Sequence, residues 1–318
     1  MRVESRPAAA GFRPVVTVAL VSLLTMSPIA WQRPPEPEPE SETPRSLETL
    51  AIQVLLDRLQ FSPGEIDGME GLNTLNAIDA FERERGRRVR DLLTASVAPA
   101  TVSYTITAAD LRTPIVSAIP PDMMAKSKLT RLDYTSHLEM FGERFHSSPE
   151  LLKWLNPGLK IAAGARLIVP NVRAARAAAP PRDIVVRVAE HEAALTVFDR
   201  TGKMIFYAPA TTGSSEDPLP IGSWKITAVS HNPTFQYNPK LWWDANASHK
   251  PALIPPGPNG PVGVVWIDLD KPHYGIHGTP VPGSVGYTVS HGCVRLTNWD
   301  ALRLAGMVRA GTKVKFVP

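Results

Sequence analysis

The chain has 318 residues, 43% of them apolar, with a net charge of +4 and a pI near 9.2, which suits two or three domains with ordinary cores. The charge is dispersed, with no long Lys/Arg run and no interleaving of basic with aromatic residues, which argues against a nucleic-acid partner. The single cysteine, Cys293, excludes an intrachain disulfide and any zinc site needing two thiolates, and 32 prolines, about twice the usual share, point to linkers between modules.

Residues 1–30 carry Arg2, Arg6 and Arg13 ahead of an apolar run at 15–29. That order is expected of a signal peptide or signal anchor, since a membrane span needs about 20 apolar residues. Pro28 lies in a poor position for cleavage after Ala30, so an uncleaved N-terminus is the one route to membrane contact. No Cys follows the run, which excludes a lipoprotein anchor. The protein is expected to be exported, to the periplasm or cell envelope. Residues 31–46 are rich in Pro and Glu and read as an extended linker.

Residues 47–86 form a small α-helical module. Leu50, Val54, Leu55 and Leu59 recur at helical spacing, the Phe61-Ser-Pro-Gly-Glu-Ile-Asp-Gly stretch is a turn, and Asn73 or Thr74 caps a second helix bearing Leu75, Ile78 and Phe81. With Asp67-Gly68, Thr74, Ala77 and Phe81 in place, the stretch resembles peptidoglycan-binding helical domains, except that Glu82 stands where the family often has Gln. Residues 87–103 read as a linker. Residues 104–170 read as a small α+β module: a strand from Tyr104, a helical stripe at Leu138, Phe141 and Phe145, a helix capped by Ser148 and opened by Pro149, and a closing strand in GARLIVP. The string ERFHSSPELLKWLNPG resembles the LysM glycan-binding module, interrupted by an insertion between Thr107 and Leu138. The stripe of Phe141, Phe145, Leu152 and Leu155 has the spacing of a plain core as well as of a sugar platform. Residues 171–182 form an Ala/Pro linker.

From residue 183 to 318 the chain is mainly β. Alternation and β-branched content predict strands at 184–188, 194–198, 204–210, 223–229, 264–269 and 312–317, with a helix between Asn298, read as its cap, and Gly311. Residues 231–263, with Trp242 and Trp243, form a long irregular insertion of the kind that serves as a lid or substrate wall.

The chemistry lies in YGIHGTPVPGSVGYTVSHGCVRLTN, residues 274–298. A thiol attacks as thiolate and needs a base nearby. His277, on a separate segment, is the expected base for Cys293. His291, two residues away, is the poorer candidate. The Gly278 carbonyl is expected to orient the second ring nitrogen of His277. Gly292 permits a tight turn that aims amides at an oxyanion, and the helix after Cys293 is expected to favour the thiolate. Arg295 reads either as a binder of a substrate carboxylate or as half of a surface ion pair. A metal held by His273, His277, His291 and Cys293 is the rival reading, although their spacing is not that of a helical His pair.

This pattern, His-Gly, a spacer, then Ser-His-Gly-Cys, closely resembles the signature of L,D-transpeptidases of the YkuD family, and the resemblance covers residues 183–318. It departs from the strict form in placing Arg295 where an Asn stands. The resemblance implies a β-sandwich-like fold and no cofactor. It implies Cys293 as nucleophile, His277 as base and Gly278 as the orienting carbonyl. Ser290, His291 and Gly292 would lie on the oxyanion side, and Tyr274 and Arg295 would contact substrate. The implied reaction is attack on the diamino-acid carbonyl of a peptidoglycan tetrapeptide stem, loss of D-alanine, and transfer of the acyl group to an amine of another stem, giving a 3-3 cross-link. Water as acceptor would give an L,D-carboxypeptidase; a lipoprotein lysine or glycine would give an attachment enzyme. A non-catalytic wall-binding protein is the reading from a different class. The expected partners are stem peptides and glycan strands, with the modules at 47–86 and 104–170 acting as tethered wall binders.

Overall fold

In the structure, a computed structural model, residues 44–95, 98–172 and 183–318 are described. The expected export segment at 1–30 and most of the Pro/Glu linker lie outside the described residues. The last residues of that linker are already ordered into the first module. Ser46 caps helix α1 (Leu47–Arg58) through its hydroxyl, which accepts from the Thr49 amide, and Arg45 Nε donates to the Asp67 carbonyl.

Helix α1 is apolar on two sides. Leu50 and Val54 enter one core, while Ile52 and Leu56 enter another. A helix apolar on both faces is buried between layers, and α1 packs on one side against the rest of its own module and on the other against the second. Helix α2 (Leu72–Arg85) starts after Gly71 without a side-chain cap, so neither Asn73 nor Thr74 has the expected capping role. Thr74 instead accepts from Gln53 Nε2, and Asn73 Nδ2 donates to the Val285 carbonyl. The expected linker at 87–103 holds helix α3 (Val89–Ala95) and the start of strand β1 (Thr101–Thr105). Val89 is fully buried and its amide donates to the Glu82 carboxylate, which fixes this segment against α2.

Strand β1 pairs antiparallel with β2 (Arg166–Pro170). Between them lie the short helix α4 (Met123–Lys126) in the insertion, then α5 (His137–Arg144) and α6 (Pro149–Leu155). The hydroxyls of Ser136 and Ser148 cap α5 and α6, and Pro149 opens α6 as read. Phe141, Phe145 and Leu152 are buried together with Ile106 and Leu167; they are core, not an exposed platform. Val172 joins the same core and Asn171 donates to the Ala100 carbonyl, so the expected linker at 171–182 begins later than read, and residues 173–182 lie outside the described residues.

The remaining strands are β3 (Ile184–Ala189), β4 (Ala194–Asp199), β5 (Met204–Pro209), β6 (Gly222–His231), β7 (Phe235–Tyr237), β8 (Ala252–Ile254), β9 (Val265–Leu269), β10 (Gly275–His277), β11 (Val294–Arg295) and β12 (Lys313–Val317), with helix α7 (Asn298–Met307) before the last. Eight of them form one sheet in the order β11-β10-β9-β6-β12-β3-β4-β5. The ten-residue β6 belongs to both halves. Its first residues pair with β12, and after a register shift between Ile226 and Ala228 it pairs with β9, so the sheet curls at this strand. The mainly-β expectation is realised as this curled sheet, packed on α7 through Ile226, Ile267, Ile276, Leu304 and Phe316.

The small modules are docked on the sheet domain, which corrects the expectation of tethered appendages. At the β5 edge, Tyr207 N donates to the Gln60 carbonyl and Ser62 N to the Tyr207 carbonyl, which covers backbone groups that an edge strand would leave open. Phe61, Phe81 and Tyr207 share one core. The insertion between Thr107 and Leu138 is anchored on the sheet domain: Leu132 packs with Tyr237 and Ile254 of the 231–263 insertion, and its amide donates to the Pro256 carbonyl.

Candidate active site

The strand register explains why the chemical groups meet. In the parallel pair of β10 and β11, Ile276 is opposite Val294 and His277 is opposite Arg295. Ile276 and Val294 point into the core with no exposure. By strand alternation His277, Arg295 and Cys293 face the other way. That face opens on a cleft of about 1020 Å³, bounded by Trp242, Trp266, Tyr274, His277, Cys293 and Arg295.

His277 is buried and stacks on Trp266, with ring centroids 5.4 Å apart and 17° between planes. Its Nδ1 lies 2.6 Å from the Gly278 carbonyl oxygen. A carbonyl only accepts, so Nδ1 carries the proton and Nε2 keeps its lone pair. This is the contact between the Gly278 carbonyl and the second ring nitrogen that the sequence leads one to expect. Burial, aided by the Arg295 charge, lowers the His277 pKa to about 3 against the opposing Gly278 hydrogen bond. Burial pushes the Cys293 thiol up to about 11, against the Gly275 amide and Arg295, with Asp217 adding to the rise. The resting pair is therefore thiol and neutral imidazole. The expected helix-dipole aid to a thiolate does not operate here. Helix α7 starts at Asn298, beyond β11, and the dipole acts only within about a turn.

Helix α7 is capped by Thr297, whose hydroxyl accepts from the Asp300 amide, so Asn298 is not the cap. Asn298 Oδ1 instead fills the space at Gly278 and Gly263, where an added Cβ would lie 2.1 and 1.9 Å from it.

Of the residues expected on the oxyanion side, Gly292 makes the turn before Cys293. Its φ is +88°, and a Cβ there would lie 2.7 Å from the Tyr274 ring, so the turn requires glycine. Its amide has no acceptor among the described residues. Ser290 is a loop brace: its hydroxyl donates to the Cys293 carbonyl at 2.6 Å and its amide to the Thr212 carbonyl. His291 turns away toward the insertion, where Nε2 meets Asp244 Oδ1 at 2.8 Å and the ring stacks on Trp242 at 4.2 Å. Its role is to hold the cleft wall.

Arg295 lines the cleft and has no carboxylate within ion-pair distance among the described residues, which removes the surface ion-pair reading. Asp217, missed in the sequence, also lines the cleft, and its Oδ2 is buried without a hydrogen-bond partner. The site thus presents opposite charges. The four residues of the metal reading do not converge: among the described residues no three His, Cys, Asp or Glu side chains form a metal-like group. The Cys293 thiol points to the His273 carbonyl, 3.6 Å away.

The family model for the L,D-transpeptidase catalytic domain, YkuD, matches residues 181–316. A putative L,D-transpeptidase YkuD of Bacillus licheniformis is 31% identical over 186 residues, which cover 57% of this chain and 93% of that protein. The probable L,D-transpeptidase YbiS of Escherichia coli is 28% identical over 197 residues, covering 58% of this chain and 60% of that protein. Among solved structures, an L,D-transpeptidase from Mycobacterium smegmatis aligns at 20% identity with a TM-score of 0.35, covering 43% of this chain and 59% of that one.

Proposed function

The chain belongs to the YkuD family of L,D-transpeptidases, cysteine-dependent acyltransferases, and from that premise we propose that Cys293 is the nucleophile and His277 the base of a wall cross-linking reaction. The observation that carries this reading is the His277 Nδ1 bond to Gly278, which leaves Nε2 as a proton acceptor in the cleft that holds the thiol. His277 Nε2 takes the Sγ proton as sulfur attacks the diamino-acid carbonyl of a tetrapeptide stem. The bond to D-alanine breaks, and the proton passes to the departing amine. The thioester then accepts an amine of a second stem, which gives up a proton to His277 and releases the thiol. The Gly292 amide receives the oxyanion.

Opposite charges at Arg295 and Asp217 suit a substrate that carries both carboxylate and ammonium groups. The docked modules at 47–86 and 104–170 are proposed to contact glycan strands from fixed positions, and the basic-then-apolar residues 1–30 to direct export. In this reading a carbapenem acylates Cys293.

The test is product analysis on purified disaccharide-tetrapeptide, with Cys293→Ala as the blank and its retention on purified sacculi measured in parallel. Cross-linked dimers with free D-alanine are expected. Tripeptide monomers alone would replace the second stem by water as acceptor. Failure of Cys293→Ala to sediment with sacculi would remove the glycan contacts.

A further inference from the structure

The hold on His277 runs into the second small module. Asn298 is 1% exposed and every polar atom of its side chain is engaged. Its Oδ1 accepts from the Val264 amide at 3.2 Å and is wedged against Gly278, whose carbonyl fixes His277 Nδ1. Its Nδ2 donates to the Pro258 carbonyl at 3.2 Å and to Glu143 Oε1 at 2.9 Å. Glu143 belongs to α5, outside the sheet domain. We infer that Glu143 is a positioning residue for the acyl transfer: through Asn298 it fixes the Gly278 carbonyl, and so the tautomer and orientation of the His277 ring. The inference rests on the reading of Cys293 and His277 as nucleophile and base.

The chemistry of the link is specific. An amide side chain has one accepting and one donating end, so its orientation is set by what each end meets. Val264 N demands an acceptor; Glu143 and Pro258 O demand a donor. Removing the Glu143 acceptor leaves the donor end half-satisfied and frees Asn298 to tilt away from Gly278. Burial pushes the Glu143 carboxyl up to about 8 against the Asn298 hydrogen bond, with Glu139 and Glu65 adding to the rise. At neutral pH it is mainly an uncharged acid whose carbonyl oxygen accepts. A glutamine offers the same acceptor at the same length; an alanine or methionine does not. The module is then part of the catalytic apparatus, because one of its side chains sets the geometry of the base.

The experiment uses the full chain with Glu143→Ala, Glu143→Met (which keeps the volume without the acceptor) and Glu143→Gln. Three quantities are read: the rate of imipenem acylation by intact mass, KM for the disaccharide-tetrapeptide, and the imidazole nitrogen shifts of His277. In Glu143→Ala and Glu143→Met, acylation should slow about tenfold with KM unchanged. Their His277 signals should move from the single tautomer protonated at Nδ1 toward a mixture. Glu143→Gln should match the wild type in all three. Wild-type acylation and wild-type imidazole shifts in a folded Glu143→Met would overturn the inference, as would equal slowing by Glu143→Gln. A wild type that imipenem never acylates would instead sink the Cys293 and His277 reading, while the imidazole shifts would still decide whether Glu143 holds His277.

Discussion

At the scale of single residues the site is a neutral pair. Burial sets both values, about 3 for His277 and about 11 for Cys293, and no preformed thiolate waits for substrate. The sign of the pH dependence follows. Over roughly pH 5–9 neither group changes charge, so acylation of Cys293 by a carbapenem should be flat across that range, where an unshifted His would give an inflection near ~6.5. His277→Ala should slow acylation by about 10²–10⁴-fold, and Cys293→Ala should abolish the adduct in intact-mass measurements. An inflection near neutrality in the wild type would show an imidazolium at rest and overturn the neutral pair. Cys293, His277 and Gly278 were legible in the sequence because they sit in one short signature. Asp217 and Glu143 lie on other segments, and nothing in their local sequence marks their aim; Asn298 lies in the quoted stretch, but its pattern reads as a helix cap and not as a contact to Gly278. Ser290 and His291 share the signature, but their side chains serve the loop and the cleft wall.

At the scale of elements, the long alternating strands were readable, while β7, β8, β10 and β11 were not. Each is two or three residues long, too short for alternation to register, and exists because neighbouring strands supply its partners. His277 ends β10, and Cys293 stands immediately before β11. The 231–263 insertion was legible as a wall, and the structure shows what holds it. Trp242 packs edge-on to Phe235 and Tyr237 and stacks on His291, while His249 meets Asp122 at 2.7 Å and Tyr237 at 2.8 Å. Trp242 is thus the pin between the wall and the nucleophile loop. Trp242→Ala should raise KM for the disaccharide-tetrapeptide about tenfold, a loss of ~1.4 kcal/mol of binding, and leave alkylation of Cys293 by iodoacetamide unchanged. Steady-state kinetics beside an alkylation time course separates the two effects. An unchanged KM would mean that the wall does not touch substrate, and faster alkylation would mean that it shields the thiol.

At the scale of the whole molecule, the two small modules and the sheet domain share one polar centre. Asp57 of α1 is completely buried. Both its oxygens receive Arg303 of α7 at 2.8 Å, and Oδ1 also meets His146 Nδ1, 3.1 Å away, from the second module. His146 in turn stacks on Trp299 at 5.3 Å. This junction was not legible in the sequence, because Pro-rich segments between modules read as tethers and a lone Asp on a helix reads as surface. Burial acts to raise the Asp57 pKa, but the facing charges and hydrogen bonds of His146 and Arg303 prevail and lower it to about 2 from 3.8. A carboxylate whose folded pKa is depressed contributes stability above its unfolded pKa and loses it as pH falls through the folded value. The junction should therefore weaken between about pH 4 and pH 2, by roughly 2 kcal/mol from this group alone. Asp57→Asn, which keeps the shape and removes the charge, should cost about 3 kcal/mol at neutral pH because it leaves the buried Arg303 with only its longer carboxylate contact, 3.5 Å, to Asp300. Urea midpoints of both proteins, measured from pH 7 down to pH 2, should converge on the acid side. A gap that stays constant to pH 2 would show that Asp57 carries no ionisation-linked stability, and the docking would then rest on the packing around Phe61 and Tyr207 and the other hydrogen bonds across the seam.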